Sequence, residues 1–549
     1  MKKTISLLCL VFLLAFPSSI SANPKHEFRA TWLATVWSID WPATKATNAT
    51  NREAQKKELT AIFDKLQAGN MNAVCFQVRG LSDVMYKSSL EPWSAALTGT
   101  RGKDPGYDPL AFAIEEAHKR GMELHVWVNP FRVTSTGTLS TSDKVWQNAG
   151  DWIIKYDNGS FSGQIIDPGY PEARKYVLDV FMEIVENYDI DGILMDDYFY
   201  PYGGTTTEDS KSKSLYKPSS GIMDQDKDGT TDDDWRRQNV DQMMKDLYDR
   251  LQATKPWVRF GMGTFGIWTL DKDVANAYGI SLPSGITGLD DYEVQACNPV
   301  EWVKGGYVDY INPQLYWPTT STGQNYATLV KWWGQSVCQH FSDLLPGNQK
   351  VHFFSSQSCS SNTASSEIIK QIDYNRQYLS SGYTGSVFYN TTAYNKMYSA
   401  LTSRFQYQAL PPAMDWKVTE TLGAPENLTL SGTTLMWSHP SATRFTVYVY
   451  PKGTALATAQ ANPVYLQQVV YGNSFDVSGI DLINNTVAVF SYDRYGMEHT
   501  AALYNASDTP VDPDDPVVPT PSQITWELNG GEVKTVDVTV PSSPGFSST

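Results

Sequence analysis

Two adjacent carboxylates close a short apolar run in Asp191-Gly192-Ile193-Leu194-Met195-Asp196-Asp197-Tyr198-Phe199-Tyr200-Pro201. The run has the length and edges of a buried parallel strand, so Asp196 and Asp197 fall at its carboxyl end. Carboxyl pairs suit glycoside hydrolysis. One acts as acid and the other as base or nucleophile, at about 5 Å or about 6.5–9.5 Å apart. Neighbours on an extended strand point to opposite faces, so one of Asp196 and Asp197 is expected to face a pocket and the other a loop. A partner carboxylate must then come from elsewhere. Asp83, which follows Arg79 off an earlier strand, is the first candidate, with Asp40 and Asp167 next. The competing reading of an isolated Asp-Asp is helix capping or pairing with arginine.

Other strand ends carry groups able to grip a sugar. Arg79, His125, Asn129, Asn312, Gln314 and Asn390 offer donors and acceptors, and Tyr198, Trp268, Tyr316 and Trp317 offer flat apolar faces. Each alone is as well explained by structural hydrogen bonding or core packing. Asp224-Gln225-Asp226-Lys227-Asp228-Gly229 opens like a calcium loop, but Trp235 stands where a bidentate Glu is expected. Asp224, Asp226 and Asp228, with Asp232 nearby, are therefore expected to hold a structural calcium at most. Catalysis needs no cofactor.

Positioning these groups together requires a closed scaffold. Strand-like runs at Phe28–Val36, Ala73–Arg79, Met122–Asn129, Gly192–Asp196, Arg259–Thr264, Val308–Gln314, Val351–Ser355 and Gly385–Tyr389 alternate with amphipathic helical stretches. This pattern predicts a (β/α)8 TIM barrel over residues 23–408, with chemistry at the carboxyl ends of its strands. No Gly-rich nucleotide loop follows any strand, which disfavours a doubly wound sheet. Residues 413–508 turn to short alternating stretches, predicting a β-sandwich domain, and residues 509–549 read as a linker and partly disordered tail.

The net charge of −16 argues against nucleic acid. Lys2 and Lys3, an apolar run from Ile5 to Phe16 and Ser19-Ile20-Ser21-Ala22 read as a signal peptide over residues 1–22. The expected destination is the periplasm, cell surface or medium, without a lipid anchor or membrane span. Cys338 and Cys359 are available for a disulfide whose existence the sequence does not assign. Oligomeric state is not legible.

Several ordered motifs carry a family resemblance. Phe28-Arg29-Ala30-Thr31-Trp32-Leu33-Ala34-Thr35-Val36 with Ile39-Asp40-Trp41-Pro42, Phe76-Gln77-Val78-Arg79 with Ser82-Asp83, Asp196 to Pro201, Asp234 to Val240, and Pro313-Gln314-Leu315-Tyr316-Trp317 together resemble the bacterial glycosyl-hydrolase-like family numbered ten, over roughly residues 27–405. The resemblance implies an exported glycosidase-like barrel and a cell-wall glycan, particularly peptidoglycan strands lacking peptides. Pro425-Glu426-Asn427-Leu428-Thr429-Leu430 with Leu435-Met436-Trp437 resembles fibronectin type III domains. The expected activity is hydrolysis of amino-sugar strands by carboxylate acid/base chemistry. Alternatives are hydrolysis of a dietary or host polysaccharide, or a barrel that binds glycan without turnover.

Overall fold

The computed structural model describes residues 23–159, 161–203, 207–219, 232–360, 363–378 and 384–506, together with the backbone of a hairpin, Ser522–Leu528 and Glu532–Val538. Eight parallel strands close into a barrel in chain order: β1 Phe28–Leu33, β2 Ala73–Arg79, β3 Glu123–Val128, β4 Gly192–Asp196, β5 Arg259–Gly263, β6 Tyr310–Ile311, β7 His352–Ser358 and β8 Thr384–Tyr389. The barrel closes where Phe28 to Thr31 pair with Gly385 to Phe388. Helices follow the strands on the outside. They are α1 Ala49–Ala68, α2 Pro109–Lys119, α3 Pro171–Asn187, α4 Asp232–Thr254, α5 Pro299–Gly305, α6 Tyr326–Lys331, α7 Ser365–Tyr378 and α8 Thr391–Thr402. Capping sets where they begin. Asn48 accepts from Asn51 N at α1, and Asp108 accepts from Ala111 N at α2, where Pro109 takes the first turn.

The barrel interior is filled by large side chains facing glycines. A Cβ on Gly192 would sit 2.4 Å from His125 Nδ1, and one on Gly261 would sit 2.0 Å from the Tyr310 ring. Phe28, Tyr310 and Phe354 fill the same space, with the Phe28 and Phe354 rings stacked at 4.4 Å. The lumen is therefore a packed core, and only its carboxyl mouth is open to a substrate.

Two features were not legible beforehand. The segment between β3 and α3 folds its own three-stranded antiparallel sheet from Arg132–Thr134, Ile153–Asp157 and Ser162–Ile166. Its strands are short and flanked by Ser- and Gly-rich turns, so periodicity alone does not reveal them. Cys338 and Cys359, available for a disulfide by sequence, are separate buried thiols.

After the barrel, two antiparallel sheets follow, one of three strands and one of four. Leu435 and Trp437 from the first share a buried cluster with Phe445, Val447, Val487 and Val489 from the second. The four-stranded sheet also touches the barrel at the amino ends of its strands, away from the open mouth. Asp191, the residue before β4, is the hub of this contact. Its Oδ2 lies 2.8 Å from His118 Nε2 and accepts from Leu124 N at 2.9 Å. Its Oδ1 accepts from Arg444 Nη1 at 3.3 Å and Tyr471 OH at 3.4 Å. The Tyr471 ring stacks on His118 at 3.9 Å. Among the described residues, no helix is long and apolar enough to cross a membrane.

Candidate active site

Asp196 is the last residue of β4, and its side chain enters a cleft of about 270 Å3 at the open mouth of the barrel. Trp127 Nε1 donates to Asp196 Oδ2 at 2.9 Å, while Oδ1 is buried with no hydrogen-bond partner. Asp197, one residue past the strand, is absent from the cleft lining, although the cleft residue Gln314 hydrogen-bonds its carboxyl. Its Oδ2 accepts from Tyr202 OH at 2.7 Å, and Gln295 Nε2 donates to its backbone carbonyl at 2.6 Å. A third carboxyl, Asp291, lies behind it and accepts from Phe265 N at 2.7 Å.

Burial sets the protonation of this trio. It raises Asp196 well above the ordinary carboxyl range, and the neighbouring Asp197 charge raises it further, against the Trp127 hydrogen bond and the Arg132 charge. Burial pushes Asp197 up to about 6 despite hydrogen bonds from Tyr202, Gln314 and Gln295. Asp291 is raised well above its usual range by burial and by Asp197. Burial and the neighbouring Asp197 charge thus both favour the protonated form of the Asp196 carboxyl.

Of the residues singled out from sequence, Asp196, Asn129, Tyr198, Gln314 and Tyr316 line this cleft. Asn129 Nδ2 donates to Gly80 O, leaving its buried Oδ1 without a partner. Tyr316 stacks on Tyr389 at 5.5 Å, and both line the wall.

The others are placed elsewhere, each for a physical reason. Arg79 is fully buried and consumed by Glu91, which accepts from its Nε at 2.8 Å and its Nη2 at 2.6 Å. Asp83 pairs with Arg101 at 3.3 Å and is absent from the cleft lining, so it does not supply the partner carboxylate expected of it. His125 lies midway along β3 inside the barrel, between Tyr310 OH at 2.9 Å and Glu123 at 3.1 Å. Trp268 is core, donating to Asn298 Oδ1 and packed on Tyr278, Tyr292 and Trp332. Asn312 is buried and donates to Phe354 O, and Trp317 packs its edge on Phe265. Asn390 follows the cleft residue Tyr389 and accepts from Tyr394 N at the start of α8. Asp167 makes a turn, accepting from Gly169 N and Ser212 Oγ.

Asp224, Asp226 and Asp228 lie outside the described residues. Asp232 is bridged by Lys213 at 2.6 Å and Lys217 at 2.5 Å, so a cation there would have to displace two ammonium groups. Among the described residues, no cluster of three or more His, Cys, Asp or Glu is suited to a metal.

The cleft also contains residues that sequence reasoning did not select. Trp32, Gln77, Trp127, Arg132 and Tyr389 line it, as does Trp37. Trp37 is 63% exposed with φ 53°, in a left-handed conformation that non-glycine residues rarely adopt. An exposed indole held in a strained turn at a cleft mouth is suited to stacking on a sugar. Asp40 comes from the same β1 loop, and its charge adds to burial in raising the Tyr389 phenol.

A family model described as Glycosyl hydrolase-like 10 matches residues 27–361. The chain belongs to the glycosyl hydrolase-like 10 family. It is 35% identical over 431 residues to the glycosyl hydrolase YngK of Bacillus subtilis, covering 75% of this chain and 78% of that protein. It is 33% identical over 333 residues to the glycosyl hydrolase DigH of Escherichia coli K12, covering 58% of this chain and 72% of that protein. Among solved structures, the PgaB (BpsB) glycoside hydrolase domain from Bordetella bronchiseptica aligns over 70% of this chain and 99% of its own, at 12% identity and a TM-score of 0.44. The protein is a glycoside hydrolase, and the cleft at Asp196 lies where a barrel of this kind performs its chemistry. Trp37→Ala is expected to raise KM roughly fivefold, about 1 kcal/mol of lost stacking, with the unfolding midpoint unchanged. Steady-state kinetics beside thermal melts check this.

Proposed function

We propose that the enzyme is an exported glycosidase that cleaves peptidoglycan-type amino-sugar strands, with Asp196 as the proton donor to the glycosidic oxygen. The observation that carries this reading is the buried Asp196 carboxyl lining an aromatic-walled cleft beside Trp127, with a second carboxyl next to it whose charge favours its protonated form. Asp197 keeps the proton in place rather than attacking the sugar, because its side chain is held away by Tyr202. Asp40 is the candidate for the second carboxylate: its Oδ2 accepts from Ala34 N at 2.8 Å, and Ala34, Val36, Trp37 and Ile39 around it line the cleft. The amide of Asn129 and the faces of Trp37, Tyr198 and Tyr316 suit an N-acetylated sugar, whose acetamido group is polar on one side of an otherwise flat ring. Residues 1–22, which lie outside the described residues, supply the export signal. The two antiparallel sheets after the barrel form a fibronectin type III-like sandwich that braces the barrel at the end opposite the cleft.

Activity is expected to follow a bell-shaped pH profile. On the acid side the carboxylate that answers Asp196 takes up a proton, and at high pH Asp196 loses its own. The two limbs belong to the pair rather than to single residues. Asp197→Asn removes a neighbouring negative charge, so the Asp196 pKa falls and the alkaline limb moves to lower pH. An alkaline limb of kcat/KM that stays in place would show that Asp197 does not hold the proton.

The substrate is tested by incubating the enzyme with peptide-free glycan strands, intact peptidoglycan and soluble dietary and host polysaccharides, with products read by mass spectrometry. New reducing ends on the peptide-free strands are expected. Turnover confined to another polysaccharide, or tight binding with no turnover of any glycan, would refute the reading.

A further inference from the structure

The cleft holds a cation, Arg132, that no carboxylate among the described residues approaches within ion-pair distance. Arg132 opens the first strand of the small antiparallel sheet, and its backbone is fixed by pairing with Ile165 and by Ser82 Oγ, which donates to Arg132 O at 2.9 Å. Its guanidinium sits in an aromatic box, 4.6 Å from the Tyr198 centroid, 5.5 Å from Trp37 and 6.0 Å from Phe161. It lines the same cleft as Asp196. Its Nε is buried without a hydrogen-bond partner, and among the described residues no carboxylate stands within ion-pair distance of it.

Arg132 is half-buried, and the fully buried arginines around the barrel contrast with it. Arg79 is matched by Glu91, Arg236 by Asp209 and Asp233, and Arg237 by Asp234. In a chain of net charge −16, carboxylates are plentiful, yet among the described residues none pairs with the arginine that lines the cleft. Aromatic faces hold a guanidinium in place but leave its planar fork of donors unsatisfied. A carboxylate is the group that fills such a fork, with two parallel charge-assisted hydrogen bonds. Neutral sugar hydroxyls do so far less well.

Resting on the function proposed above, we propose that Arg132 binds a carboxylate carried by the sugar chain itself, close to the glycosidic bond that Asp196 protonates. Two sugar types offer one: an amino sugar bearing a free lactyl ether, or a uronate. On a peptidoglycan strand the lactyl carboxylate is free only where the peptide is absent. Where a peptide is attached, that group is a neutral amide with a bulky substituent. Arg132 would thus select peptide-free strands by charge as well as by size. The Arg132 charge also draws the Asp196 pKa downward, so a bound carboxylate that offsets it favours the protonated acid.

The test compares wild type, Arg132→Gln and Arg132→Lys, each confirmed folded by its unfolding midpoint. Four glycans are used: peptide-free strands, the same strands with lactyl carboxyls capped as methylamides, N-acetylglucosamine oligomers, and oligomers alternating glucuronate with N-acetylglucosamine. Turnover is read as kcat/KM, and affinity by calorimetry in an Asp196→Asn background. Capping is expected to lower wild-type kcat/KM and affinity at least tenfold and to have no further effect on Arg132→Gln, with Arg132→Lys intermediate. If only the glucuronate oligomers lose affinity on Arg132→Gln, Arg132 still reads a sugar carboxylate while the peptidoglycan reading fails. If Arg132→Gln weakens capped and uncapped strands equally, or no carboxylated glycan binds the wild type more tightly than the neutral oligomer, the proposal is overturned. Turnover of peptide-free strands would then leave the function itself standing.

Discussion

Asp196→Asn is expected to lower kcat on a natural glycan by about a thousandfold, roughly 4 kcal/mol of barrier, while leaving the fold intact. An alkoxide leaves a sugar poorly, so the glycosidic oxygen needs a proton as the bond breaks. Asp196 is the carboxyl that lines the cleft beside Trp127, and its burial next to Asp197 favours the protonated form. The stability effect has a definite sign. A carboxyl whose folded pKa is raised stabilises the fold relatively less as pH rises above its unfolded value near 4. Asn carries no such cost, so the unfolding midpoint at pH 7 is expected to stay level or rise. Loss of activity accompanied by a large drop in the midpoint would point to a structural role instead.

The second large effect lies at the other end of the same strand. Asp191 is buried and ties β4 to Leu124 N, His118, Arg444 and Tyr471. Burial opposes its charge, but the adjacent His118 and the Arg494 and Arg444 guanidiniums outweigh burial and hold its pKa well below the usual carboxylate range. Asp191→Asn leaves Arg444 without its buried counter-charge, at an expected cost of about 3 kcal/mol. Because the folded pKa is depressed, wild-type stabilisation from Asp191 is present above about pH 4 and is lost as pH falls through the depressed value. The difference in urea stability between wild type and Asp191→Asn is therefore expected to be full at pH 7 and to shrink on acidification. Faster proteolysis between the barrel and the following sheets should accompany it. A pH-independent difference would show that the charge at Asp191 does not brace the two parts.

The barrel was legible because each strand is a short buried run followed by an amphipathic helix, and β2 and β4 fall on the residues that the pattern marks. Side-chain direction was harder to read. His125 and Asn129 lie four residues apart around the end of β3, yet the former is locked inside the barrel with Tyr310 and the latter opens onto the cleft. A run in which every β3 residue is buried gives no sign of where the packed lumen ends and the mouth begins. Arg79 looked like a sugar-binding group because Glu91, its partner, is distant in sequence. Asp291 carries no signal in the sequence, since only the folded chain places it behind Asp197. That Asp196 ends a buried strand was legible, because the run length and its edges mark it.

The most direct test of Asp196 as proton donor compares two substrates with Asp196→Asn. A dinitrophenyl glycoside has a leaving group that departs without protonation, whereas a natural strand does not. Bond cleavage in the activated glycoside is expected to stay within about tenfold of wild type, while cleavage of the strand falls by about a thousandfold. Equal loss on both substrates would contradict a proton-donor role for Asp196.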